Sequence, residues 1–258
     1  MEDSRKKAII DLLPDDYKKE LVNIYNIALS IFKDNLINIT LGGSGGKGTI
    51  IDGWSDLDLY IVLNDYDPFT IKEFMNIVSN NNIHTGTTFY TINELENNFI
   101  DLKTKVMLYE RQTFDVNPTL YGKEVYNEID YEEIKESDRV NFPCVLHDIR
   151  RRFIELCMGK DLDKTYIKKL LVLVKCILRS YDIFTYGYNN TFNELFIFLE
   201  KHNIDITSIK DFDIIMVINN LETSKEKVVI FSNFILNYIS KIYNKGELKW
   251  KKELVLER

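Results

Sequence analysis

Hydrophobic positions in the first part of the chain follow first a helical and then a strand-like period. Residues 15–33 carry apolar side chains at helical spacing, which predicts an amphipathic opening helix. Residues 36–41 alternate apolar side chains with Asn and Thr, which predicts a strand that ends at Gly42. The helical stripe consists of Tyr17, Leu21, Ile24, Ala28, Leu29 and Phe32.

The same alternation of strand and helix continues along the chain. Residues 56–63 and 83–90 are predicted strands, and Pro68 is well placed to begin a helix that runs to about Asn80. The pattern Thr91-x-x-Glu94 predicts a capping box, which opens another helix. A helix ending at Leu108 and a short strand at residues 113–116 complete this part, and the predicted fold class is therefore a mixed α/β unit.

The second half of the chain has helical periodicity throughout. The acidic stretch at residues 128–138 is interpreted as a junction, so we expect an α/β domain over residues 1–127 and an all-α domain over residues 128–258. Capping boxes are predicted at Thr191 and Thr223. The predicted helices cover residues 138–158, 162–186, 192–201, 209–221 and 225–243.

Composition narrows the range of partners and compartments. The net charge of -7 disfavours nucleic acid as a partner but leaves room for a local basic groove. Three cysteines without paired spacing indicate neither a disulfide framework nor a cysteine zinc site, and a reducing cytoplasm is expected. Apolar runs are much shorter than the roughly 20 residues of a membrane span, and Asp11 and Pro14 interrupt the N-terminal one. The sequence does not indicate an oligomeric state.

Residues 42–49 contain five of the chain's eleven glycines. Glycine lets backbone amides converge on an anion, so phosphate is the expected ligand, although such turns are also typical of hairpins. A P-loop does not fit, because Leu41 stands where its first glycine belongs and Gly48 where its hydroxyl belongs. The turn is therefore a candidate phosphate site of another type.

Asp56 and Asp58 follow on the next predicted strand. Side chains two residues apart on a strand point to the same face, so the two carboxylates project together while Leu57 and Leu59 pack behind them. Adjacent carboxylates suit Mg²⁺ or Mn²⁺, which compensates their repulsion. The alternative is an exposed edge strand whose acidic side chains are solvated.

Twelve positions separate Ser44 from Asp56. This combination resembles the DNA polymerase β-like nucleotidyltransferase superfamily, and within it the aminoglycoside and other small-molecule nucleotidyltransferases. The family pattern is a Gly-Ser turn followed by a strand with Asp-x-Asp, here Gly43-Ser44 and the segment 55–59, Ser-Asp-Leu-Asp-Leu. Residues 120–123, Leu-Tyr-Gly-Lys, resemble a further segment common in the antibiotic-modifying members.

The resemblance implies roles for particular residues. Gly43 and Ser44 would hold the triphosphate, and Asp56 and Asp58 would bind two Mg²⁺ ions. In the family the glycine turn often continues with Ala-Arg-Gly, and Lys47 would take the place of that basic residue near the phosphates. Members of the family also send a basic residue from a helical domain to the triphosphate, and Lys175 is the candidate here; its alternative is a cation that snorkels at a domain surface.

The chain departs from the family pattern at the general base. The family places a third carboxylate on the next strand, whereas residues 83–90 contain no acid. Asp115 is our candidate for this catalytic role, with His84 and Glu94 as alternatives, although Glu94 also fits a purely structural cap.

The resemblance implies a Mg²⁺-dependent enzyme, an adenylyltransferase, that moves a nucleoside monophosphate from an NTP such as ATP to an acceptor hydroxyl. An acidic surface suits a polycationic small-molecule acceptor such as an aminoglycoside, and antibiotic resistance would follow. Because the third carboxylate is missing, a non-catalytic nucleotide-binding or antitoxin-like module is the alternative. A transferase that acts on RNA or protein is another.

Overall fold

The computed structural model describes residues 2–244 of the chain. The chain folds into two compact units, with the division between Ile134 and Lys135. The predicted domain boundary after residue 127 remains a prediction, and part of the predicted second domain lies outside the described residues.

The first unit contains a four-stranded mixed sheet and five helices among the described residues. The strands are β1 (Leu36–Gly42), β2 (Leu57–Leu63), β3 (Thr85–Thr91) and β4 (Thr119–Gly122). The helices are α1 (Glu2–Asp11), α2 (Asp15–Phe32), α3 (Pro68–Val78), α4 (Ile92–Glu96) and α5 (Leu102–Phe114), and a 3₁₀ turn (Lys33–Asn35) joins α2 to β1.

The strand order is β3-β2-β1-β4, with β1 antiparallel to both of its neighbours and β2 parallel to β3. The register pairs Gly42 of β1 with Asp58 of β2, and Asp58 with Gly86 of β3. The end of β1, the start of β2 and the start of β3 therefore meet at one edge of the sheet, where the glycine turn also begins.

Apolar side chains on one face of the sheet pack against α2 and α3. On β2 these are alternate residues, including Leu57, Leu59 and Ile61, each at most 2% exposed. Because strand side chains alternate, Asp58 and Tyr60 project from the opposite face. The predicted stripe on α2 is largely confirmed, since its members are buried except Leu29, which is partly buried.

The predicted fold class is confirmed, and the capping box at Thr91 and Glu94 has both of its hydrogen bonds. The predicted strand at residues 113–116 is wrong, because α5 continues to Phe114 and β4 begins only at Thr119. Asp115 and Asn117 adopt left-handed conformations, with φ of 54° and 56°, and these reverse the chain between the two elements.

The second unit is helical in its described part. After α6 (Tyr131–Cys157), which begins in the first unit, it contains α7 (Lys164–Ser180), α8 (Tyr188–Lys201), α9 (Ile214–Asn219) and α10 (Leu221–Asn244). The predicted capping boxes at Thr191 and Thr223 are wrong, because α8 and α10 begin earlier. Both threonine hydroxyls instead donate to carbonyls of the preceding turn, at Gly187 and Asn220.

A buried ion pair joins α6 to α7. Arg179 donates from Nε to Oδ2 of Asp138 at 2.6 Å and from Nη2 to Oδ1 at 2.8 Å, and both side chains are at most 5% exposed. This two-point contact compensates two charges that would be costly to bury singly. Among the described residues, no helix is long and apolar enough to cross a membrane.

Replacing Arg179 with Met should destabilise the second unit by about 3–5 kcal/mol, because Asp138 would remain as an uncompensated buried charge. Hydrogen exchange of the α7 amides would measure the loss. The double variant Asp138→Leu/Arg179→Met should recover much of it, and equal exchange in wild type and Arg179→Met would contradict a stabilising role for the pair.

Candidate nucleotide and metal site

The glycine turn follows β1 and is closed by its own backbone. The amides of residues 46–49 donate to carbonyl oxygens of Gly42, Ser44 and Gly45, at 2.8–3.3 Å. In the described part of the chain, the amides of Ser44 and Gly45 have no hydrogen-bond acceptor. Together with the Ser44 hydroxyl they offer donors of the kind that bind a phosphate oxygen.

The turn is attached to α5 by a buried ion pair. Lys47 Nζ lies 3.0 Å and 3.2 Å from the two carboxylate oxygens of Glu110, and the two side chains are 9% and 3% exposed. The Asn117 amide also donates to the Gly46 carbonyl at 2.7 Å. Lys47 is thus held toward the interior by Glu110, which favours a structural role over the predicted contact with a phosphate.

Asp58 lies directly against the glycine turn. A Cβ at Gly43 would collide with Asp58 Oδ2 and come within 2.8 Å of its Cγ, and φ at Gly43 is +59°. A Cβ at Gly86, on the other side, would be 3.1 Å from Asp58 Oδ1. Glycine is therefore needed at position 43 for two reasons, close approach and backbone conformation.

The segment before Asp56 is attached to α2. The Tyr17 hydroxyl donates to the Ser55 carbonyl at 2.8 Å, and the Ser55 hydroxyl accepts from the Ile51 amide at 2.9 Å. Burial, followed by the negative charges of Asp52 and Asp56, raises the pKa of Tyr17. Tyr17 therefore stays a neutral donor and fixes the backbone next to Asp56.

Two basic side chains approach the aspartates. His84 Nδ1 lies 3.9 Å from Asp56 Oδ1, and Lys103 Nζ of α5 lies 2.7 Å from Asp58 Oδ1. Lys103 also lies over the Tyr60 ring, at 6.0 Å from the centroid. Burial, and then the Asp58 charge, raises the pKa of Tyr60 well above its usual range, so its hydroxyl remains protonated.

The three candidates for a general base have different surroundings. Glu94 is engaged in the capping box and also accepts from the Tyr66 hydroxyl at 2.7 Å. Asp115 caps the end of α5 as an exposed residue, rather than lying on a strand. His84 is the candidate that lies next to Asp56, and its side chain is 78% exposed.

The predicted residue of the helical half, Lys175, lies half-buried on α7 in the second unit, and its phosphate contact remains a prediction. That unit has a cleft of its own, of about 550 Å³, between the segment after α8 and α10. It is lined by residues such as Asn203, Asn237 and Lys241 and by none of the predicted site residues. It lends no support to the nucleotide site.

The residues of the first unit fit Mg²⁺ as bound by protein and substrate together. Mg²⁺ prefers oxygen ligands and is commonly held by one or two carboxylates, water and substrate phosphates. Asp56 and Asp58 are two such carboxylates, about one-fifth exposed and next to a turn with free amides. Among the described residues no cluster of three or more His, Cys, Asp or Glu side chains is arranged to hold a metal without substrate.

Replacing Gly43 with Ala should weaken binding of Mn²⁺-ATP at least about tenfold, because the methyl group displaces the Asp58 carboxylate and adds a left-handed backbone cost of about 1–2 kcal/mol. Isothermal titration calorimetry would measure the affinity of each variant for Mn²⁺-ATP. Gly53→Ala is the matched control, since Gly53 has a similar φ of +67° but no atom lies within 4 Å of where its methyl group would stand. Equal affinities in both variants would refute close packing of Asp58 against the turn.

No family model matches the chain, and no curated protein matches it. Solved structures similar to it include the spectinomycin adenyltransferase AAD(9) from Enterococcus faecialis, crystallised with ATP and spectinomycin. The sequence identity is 15%, the TM-score is 0.42, and the match covers 81% of this chain and 98% of that one. A similarity at this level carries no argument about chemistry, which has to come from the chain's own side chains.

Proposed function

We propose that the chain is a Mg²⁺-dependent nucleotidyltransferase that transfers a nucleoside monophosphate from ATP to a hydroxyl of a small-molecule acceptor. The observation that carries the proposal is the packing of the Asp58 carboxylate against Gly43. It brings together a carboxylate, the ligand type that Mg²⁺ prefers, and a turn with unpaired amides, which supports binding of a metal-bound triphosphate.

The turn would bind the triphosphate through backbone and hydroxyl donors. The Ser44 hydroxyl and the amides of Ser44 and Gly45 are the donors that support this role. Fixed donors of this kind orient the phosphates at little entropic cost, because the turn is already closed by its own hydrogen bonds.

Asp56 and Asp58 would hold Mg²⁺, which when bound supplies positive charge to the phosphate oxygens. In the proposed reaction the oxygen of the acceptor hydroxyl attacks the α-phosphorus in line, and the bond from this phosphorus to the leaving pyrophosphate breaks. Tyr17 supports this geometry, because its hydrogen bond to the Ser55 carbonyl fixes the backbone beside Asp56. The net charge of -7 would attract a cationic acceptor such as an aminoglycoside.

His84 would accept the proton of the acceptor hydroxyl. Its position beside Asp56 and its 78% exposure leave the imidazole accessible to a substrate. Histidine is also the commonest general base in enzymes. Asp115, the base chosen from sequence, is less well supported, since it caps α5 instead of lying on a strand of the sheet.

A second candidate function is nucleotide binding without turnover. The specific observation in its favour is that Gly86 stands beside Asp58 in the register of β2 and β3, where a third carboxylate would be expected from the family resemblance. Incubation of the full chain with labelled ATP, Mg²⁺ and either aminoglycosides, total tRNA or cell lysate separates the two. Saturable ATP binding with no labelled product in any mixture would favour the second candidate.

The double variant Asp56→Asn/Asp58→Asn should lower Mg²⁺-dependent label transfer by about a thousandfold or more, because charge stabilisation by a metal contributes several kcal/mol. Circular dichroism should show an unchanged fold. Asp52→Asn is the control, because Asp52 is exposed and its carboxylate accepts from the Gly53 amide at 2.9 Å, outside the aspartate pair. Full activity in the double variant would show that Asp56 and Asp58 are not required as metal ligands.

His84→Ala should lower kcat by about a hundredfold or more with little change in the KM for ATP, as expected for loss of a general base. Steady-state kinetics with an acceptor found in the screen would measure both constants. His147→Ala, at an exposed position of α6, should behave as wild type. An unchanged kcat in His84→Ala would argue against His84 and leave Asp115 as the preferred candidate for the general base.

A further inference from the structure

Lys103 reaches from the first turn of α5 to the Asp58 carboxylate, which is 45 positions earlier in the chain. The distance from Nζ to Oδ1 is 2.7 Å, the length of a charge-assisted hydrogen bond. The ammonium therefore occupies one oxygen of a carboxylate that would bind a metal ion in the proposed function.

The acid nearest to Lys103 along the chain is already engaged. Asp101 caps α5 by accepting from the Thr104 amide at 2.9 Å, and it accepts from the Tyr90 hydroxyl at 2.5 Å. These hydrogen bonds engage both carboxylate oxygens of Asp101 at the N-terminus of α5. Lys103 is directed to Asp58 instead, and its ammonium lies over the Tyr60 ring.

The other sides of the Asp58 carboxylate are restricted. Oδ2 lies against Gly43, and Gly86 brings no acid to Oδ1. β3 contributes no carboxylate, so the paired strands at this end of the sheet offer a metal only Asp56 and Asp58. With the lysine counted, the two aspartates carry one net negative charge between them, which suits a single divalent ion that also meets phosphate oxygens.

We infer that Lys103 substitutes for one of the two metal ions, so that the site takes a single divalent cation and the lysine ammonium neutralises Asp58 at the second position. The inference rests on the proposed metal role of Asp56 and Asp58, and it replaces the expected pair of Mg²⁺ ions with one.

Titration of the full chain with Mn²⁺ in the presence of an equimolar non-hydrolysable ATP analogue, followed by the electron paramagnetic resonance of free Mn²⁺, tests this inference. Wild type should bind one ion per chain. Lys103→Gln should bind Mn²⁺ about fivefold more tightly, because the ammonium no longer competes for Asp58, and fivefold is the upper range for an exposed ion pair. Lys103→Arg should keep the wild-type affinity.

Lys105→Gln is the matched control. It removes the same charge from the same helix, but Lys105 Nζ pairs with Glu133 at 3.0 Å. Its Mn²⁺ affinity should equal that of wild type. Lys103→Met serves as a second variant if Lys103→Gln folds poorly by circular dichroism.

The outcomes separate this inference from the function on which it rests. Two Mn²⁺ ions per wild-type chain, or equal affinities in wild type, Lys103→Gln and Lys103→Met, would overturn the role of Lys103. Loss of Mn²⁺ binding in Asp56→Asn/Asp58→Asn would still support the metal site in that case. Absence, in every protein, of Mn²⁺ binding beyond that of the ATP analogue alone would overturn both.

Discussion

The register of three strands is the constraint on which the proposed site depends. Asp58 faces Gly42 on one neighbouring strand and Gly86 on the other. Because strand side chains alternate, a shift of one residue would turn Asp58 toward the core that packs against α2 and α3 and Leu57 toward the opposite face. The burial of Leu57, Leu59 and Ile61 opposes such a shift, so the hydrophobic face of β2 determines where its carboxylate points.

Charge compensation then shapes the surroundings of the turn. The buried Lys47–Glu110 pair holds the turn to α5 from within, while Lys103 of the same helix meets Asp58 at the surface. Breaking a buried pair leaves an uncompensated charge at high cost, whereas an exposed pair contributes little and exchanges readily. Through Glu110, α5 thus makes a buried ion pair with Lys47 of the turn. Through Lys103, the same helix makes an exposed ion pair with Asp58.

The sequence alone could predict the local features of this site. The glycine turn, the strand that bears Asp58 and the capping box at Thr91 follow from residue spacing within a short segment. The partners of the two lysines could not be predicted in this way, because Glu110 lies 63 positions from Lys47 and Asp58 lies 45 positions from Lys103. Only the packing of α5 on the sheet brings such distant residues together.

Errors in the prediction also have physical causes. The segment 113–116 has strand-like composition, but the helix before it continues and two left-handed residues reverse the chain afterwards. The threonines at 191 and 223 have the spacing of capping boxes, yet they lie inside helices that begin earlier, so their hydroxyls donate to backbone carbonyls. Spacing predicts a cap only where the helix begins.

The ion pair between α6 and α7 has a consequence for chemical labelling. The Cys176 thiol lies 3.3 Å from Asp138 Oδ1, and burial raises the pKa of this thiol to about 12. It therefore stays protonated and shielded from alkylating reagents, since the thiolate is the reactive form. Cys144 and Cys157 are exposed on α6, so a maleimide fluorophore would label that helix and leave Cys176 unmodified.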